Sequence, residues 1–172
     1  MGEDIDIVGG SPKPSWIKIS YSGVYNFDNL YRNIISWFKK NNYFFHEKTH
    51  IESVKPNFKD YKYDFTGIRQ VDEYVSYSIN VEIWALRTKE IDAKDDAVKL
   101  VKGEIQLRIK GSMTLDYRNS FDKYGKLGKV LRSFYHTYII RKRIWTKYAG
   151  DIFNESNDLI NSIKSSLNLI TP

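Results

Sequence analysis

The chain has 172 residues, no cysteine, 41% hydrophobic and 15% aromatic residues, and a formal net charge of +6. That length and apolar content suit one folded domain with a real core and exclude a disordered composition. The lack of cysteine excludes disulfides and thiolate chemistry, and no apolar run approaches the ~18 residues of a membrane-spanning helix.

Residues 1–15 mix Asp and Glu with Gly9, Gly10, Pro12 and Pro14 without any period. They read as an arm, flexible or held by a partner, and their acidic start is unlike a secretion signal. This assigns 16–172 to a single domain, with a cytoplasmic or assembly-associated location. Trp16 to Tyr25 alternates as a strand, and Gly23 bends or ends it. Asn26 or Asp28 then caps a helix to about Lys40, with Leu30, Tyr31, Ile34, Trp37 and Phe38 on its packed face and Asn41 and Asn42 suited to its end.

Four extended segments follow. Tyr43 to Val54 turns at Pro56 and Asn57 into Tyr61 to Val71, where Gly67 breaks the alternation as a bulge would. After Asp72 and Glu73, Val75, Tyr77, Ile79, Val81, Ile83 and Ala85 line one strand face, and Tyr74, Trp84 and Leu86 the other. Thr88 to Lys99 reads as a charged loop. In the last strand, Gly103 to Tyr117, Ile105, Leu107, Ile109, Met113 and Leu115 alternate with polar residues, the pattern of a half-solvated antiparallel sheet.

A long C-terminal helix, about 124–169, completes the chain. Its segment 123–150 holds eight of the 27 basic residues and none of the 21 acidic ones. On an α-helical wheel, Leu127, Val130, Leu131, Phe134, Tyr138, Trp145, Tyr148 and Ala149 form a core-facing stripe that continues through Ile152, Leu159, Ile163 and Leu167. Lys129, Arg132, His136, Arg143 and Lys147 form a basic back. Arg141 falls about 40° from the stripe's centre at 3.6 residues per turn, which makes it a candidate buried charge paired with Asp64 or Glu82, a side chain that snorkels to the rim, or the lining of an anion-binding cavity.

The order β-α-β-β-β-β-α gives an α+β two-layer sandwich, an antiparallel sheet of about five strands with one helix in the N-terminal half and a long one at the C-terminus. In element order it resembles the helix-grip fold of START and Bet v 1-like ligand-binding proteins. That resemblance implies a small-ligand cavity under the long helix. This chain has five strands where that fold has seven and lacks one of its helices.

Catalytic patterns are sparse. The glycines form neither a dinucleotide fingerprint nor a phosphate-binding loop, and no serine sits in a nucleophile elbow. His46-Glu47-Lys48-Thr49-His50 has the spacing of a helical zinc motif, but Phe44 and Phe45 place it in a strand, where both histidines read as surface residues sharing a face. No metal or cofactor is assigned, and an enzyme is the least supported class. Tyr74 and Trp84 are candidate interface aromatics. The favoured expectation is a non-catalytic structural or adaptor protein bound to other subunits in a larger assembly, of which a viral or phage particle is an example. The alternatives are binding of nucleic acid, a ribonucleoprotein or anionic lipid through the basic helix, and a helix-grip ligand cavity.

Overall fold

In the computed structural model, which describes residues 3–6, 16–91 and 100–169, one antiparallel sheet carries its helices on a single face. The strands are β1 (Glu3–Asp6), β2 (Ile17–Tyr25), β3 (Phe44–Lys55), β4 (Phe58–Gln70), β5 (Val75–Ile91) and β6 (Leu100–Leu115), with α1 (Phe27–Lys40) between β2 and β3. A 3-10 turn at Asp122–Tyr124 leads into one helical rod over 125–166. The rod comprises α2 (Gly125–Phe134), a π-helical segment (Tyr135–Ile140), α3 (Arg141–Arg143), a second π-helical segment (Ile144–Tyr148) and α4 (Ala149–Ser166).

The sheet runs β3-β4-β5-β6, and the free side of β6 takes β2 and β1 end to end. It is therefore five strands wide, and the fold is the expected α+β sandwich. β2 pairs as far as Ile17 with Ile109, and β1 covers β6 from Ser112 to Leu115. Part of the presumed arm is thus a strand, because it satisfies edge amides and carbonyls of β6 that would otherwise need water. Residues 7–15 lie outside the described residues.

Period-two alternation accounts for the core. Val75, Tyr77, Ile79, Val81, Ile83 and Ala85 of β5 and Ile105, Leu107, Ile109, Met113 and Leu115 of β6 are all buried against Leu30, Ile34, Phe38, Ile152, Leu159 and Ile163 of the helices. Asn26 caps α1 by accepting from the Asn29 amide at 2.9 Å, and Asn42 follows it at φ 58°. β5 runs on to Ile91, so Thr88 to Ile91 is strand where a loop was expected; the remainder, 92–99, lies outside the described residues. A register shift between Leu86 and Lys89 lets β5 absorb the change of pattern there.

Gly67 is not a bulge. It pairs in register with both Phe45 and Ile79, and a Cβ there would stand 2.3 Å from the Phe38 ring. The glycine makes room for a fully buried aromatic side chain of α1. Gly67→Ala is expected to cost about 1–3 kcal/mol through overpacking, with partial recovery in a Gly67→Ala/Phe38→Leu double variant; an unchanged urea midpoint for the single variant would refute this packing.

Candidate functional site: the outward face of the basic helix

The basic helix is positioned by two carboxylates of the sheet's end. Asp116 follows β6 in a left-handed conformation, φ 51°, and is fully buried. Its Oδ1 accepts from the Ser120 amide at 2.7 Å, and its Oδ2 receives Arg132 Nε at 2.9 Å and Nη2 at 2.8 Å. Arg132 Nη2 also reaches Asp122 at 2.6 Å. Gly128 seats α2 one turn earlier, since a Cβ there would meet the Phe121 carbonyl at 2.0 Å. Next along this line, His136 and Tyr135 pack edge-on to Tyr74, with ring centroids 5.5 and 5.0 Å away.

The second carboxylate is Asp72. Its Oδ2 accepts from the Tyr148 hydroxyl at 2.5 Å, while its Oδ1 takes the amides of Tyr74 and Val75 at 2.8 and 2.7 Å. Partial desolvation pushes this carboxyl up, but the Tyr148 hydroxyl, the two amides and the Arg143 charge outweigh it and hold the group below the usual carboxylate range. Burial, then the bond to Asp72, pushes the Tyr148 hydroxyl up to about 12.

These anchors impose a period of four. Gly128, Arg132, His136, Ile140, Ile144, Tyr148 and Ile152 all face the body. Arg132 and Ile152 are twenty residues apart, about five and a half turns at 3.6 residues per turn, so a uniform α-helix would set them on opposite faces. The two π-helical segments, with their wider i→i+5 turns, remove that half turn. From the second segment, Thr146 Oγ1 donates back to the Lys142 carbonyl of α3 at 2.8 Å, a bond of the kind that bends helices.

The expected core-facing stripe is consequently turned outward from Leu127 to Trp145. Tyr138 is 75% exposed, Val130 64%, Leu127 and Trp145 62%, Phe134 55% and Leu131 38%, with Ile139 beside them at 58%. Phe134 and Tyr138 touch each other, their rings 5.0 Å apart. Only Tyr148 and Ala149 of the upstream stripe reach the core, and the phase runs on normally from there through Ile152, Leu159, Ile163 and Leu167. The basic back divides correspondingly. Arg132 and His136 turn towards the body, whereas Lys129, Arg143 and Lys147 are exposed.

The other candidate residues separate. Arg141 is exposed, not a buried charge, because the stripe beside which it falls is itself turned outward from Leu127 to Trp145. Asp64 and Glu82, its expected partners, belong to the opposite face of the sheet, where Glu82 lies 3.9 Å from Arg108. Tyr74 packs against Phe121, Tyr135 and His136 and so serves the helix dock. Trp84 lies half-buried on the sheet's outer face under the Arg108 guanidinium at 4.4 Å and the Lys62 ammonium at 5.8 Å. A bulge between Glu47 and Thr49 puts His46 opposite Thr66 and His50 opposite Tyr63, on opposite sheet faces, so the two histidines do not share a face. His50 stacks on Tyr63 at 4.5 Å. Among the described residues no three His, Asp or Glu side chains are grouped to hold a metal. The sequence does not mark Asp116, and it marks Asp72 only as a turn residue, which the bonds from the Tyr74 and Val75 amides match; the one signal pointing to both as anchors is that 123–150, holding eight cations, draws its carboxylates from elsewhere. No family model and no curated protein matches this sequence.

Asp116→Asn leaves Arg132 without its buried counter-charge and is expected to cost about 3 kcal/mol in urea unfolding; a loss within error of zero would contradict the dock. The Tyr148 hydroxyl has its folded pKa above the ordinary value of about 10, so the stability it contributes is complete below that pH and is lost as pH rises towards 12. Tyr148→Phe should flatten the alkaline limb of the stability profile, and an identical limb in both proteins would contradict the bond to Asp72.

Proposed function

We propose that the chain is a non-catalytic structural or adaptor protein, held within a larger assembly by the outward face of helix 125–148. The observation that carries this reading is the outward turn of Leu127, Val130, Phe134, Tyr138 and Trp145 on a helix whose other face is anchored by Asp116 and Asp72. Single exposed apolar residues are ordinary, but a contiguous apolar ridge rimmed by cations marks an interaction surface.

Two alternatives are weaker on the same geometry. Nucleic-acid binding, which tracks a backbone of phosphates, calls for cations at the apex of the helix, whereas the apex row between Lys126 and Lys142 is Val130, Phe134 and Tyr138. A helix-grip ligand site loses its motivating residue, since Arg141 is outside, and Phe38, Phe65 and Tyr77 occupy the space between sheet and helices.

The test is sedimentation of the protein from its native source. A Phe134→Asp/Tyr138→Asp variant should melt as the wild type does, yet move from a large complex to the position of a 20.3 kDa chain. Retention of the variant in the complex would overturn the reading.

A further inference from the structure

Resting on that docking reading, we infer that the surface met by helix 125–148 is anionic lipid. The helix lies in the headgroup plane, with Val130, Phe134 and Tyr138 turned into the bilayer and the flanking cations against lipid phosphates.

Segment 123–150 has eight cations and no acid. Arg132 is matched by Asp116 and Asp122, and the Arg143 charge acts on Asp72. Lys123, Lys126, Lys129, Arg141, Lys142 and Lys147 are exposed around the ridge, so the complementary surface is negative. A second copy docked through the same face would set like charge against like charge.

With four residues per turn, Val130, Phe134 and Tyr138 form the apex, Leu127 and Ile139 one flank, and Trp145 the other. A protein groove would have to wrap three sides of this convex rod, whereas fluid lipid conforms to it. Cations lie at both ends of the apolar row, Lys126 and Lys129 before it and Arg141 and Lys142 after it, where long stems let charge stay at phosphate level while the rings sink. No helix of the described residues is long and apolar enough to cross a membrane.

The experiment is flotation of the purified full chain with phosphatidylcholine vesicles, with and without phosphatidylserine, at low and high salt. The wild type should float only with phosphatidylserine present and lose binding as salt rises. Phe134→Ser/Tyr138→Ser should abolish flotation, and Lys126→Gln/Lys142→Gln should weaken it at least about tenfold, both with unchanged melting. Equal flotation with neutral vesicles, no flotation, or wild-type behaviour of either variant would overturn the inference. So would displacement from vesicles by random-sequence RNA whose binding ignores Phe134 and Tyr138. If the wild type does not float while Phe134→Asp/Tyr138→Asp still leaves the native complex, the lipid inference falls and docking to an acidic protein stands. If that variant stays in the complex, the docking reading falls independently of the vesicles.

Discussion

A carboxylate sealed at the end of the sheet sets the orientation of everything after it. Asp116 is fully buried, and Arg132 supplies its counter-charge from the first turns of the C-terminal rod. Burying a pair of charges gives little net stability, because desolvation offsets the attraction, but leaving one partner alone costs several kcal/mol. The pair therefore acts mainly as a register pin. It selects the one rotation of α2 in which Arg132 points inward, and the apolar residues on the other side must then point outward.

The far end of the rod is pinned by different chemistry. Ile152, Leu159 and Ile163 are committed to the core. Along the seam with α1, the Trp37 indole donates to Asp158 at 2.7 Å, and Asn33 and Ser162 exchange hydrogen bonds at 3.1 Å. Arg69 of β4 meets Glu155 at 2.6 Å, and the Tyr43 hydroxyl donates to the same carboxylate at 2.5 Å. Two pinned ends half a turn out of phase cannot be joined by a regular α-helix. The two π-helical segments are the structural consequence of that conflict, and π-bulges of this kind occur frequently at functional sites.

Most of the fold was legible in the sequence, and the reason for each miss is local. Alternation in β5 and β6 marked the core correctly because one face is apolar at nearly every second position, and Asn26 and Asn42 marked the ends of α1 through their capping and left-handed preferences. The phase of α2 was not legible, because wheel arithmetic assumes 3.6 residues per turn and a tertiary ion pair overrode it. Arg141 failed with the same assumption. His46 and His50 were placed on one face because a two-residue period carries no sign of the bulge between Glu47 and Thr49. Gly67 was read as a backbone feature when its role is steric, a fact that depends on Phe38 arriving from α1. In each case the deciding partner is distant in sequence.

The outward rotation of helix 125–148 is directly measurable because the chain has no native cysteine. Single cysteines placed at 130, 134, 138, 140 and 144 can be titrated with a thiol reagent under native conditions. Val130→Cys, Phe134→Cys and Tyr138→Cys are expected to react like free thiols while Ile140→Cys and Ile144→Cys are strongly protected. Protection at 130, 134 and 138 with free reaction at 140 and 144 would show that the apolar stripe faces the core and would contradict the rotation.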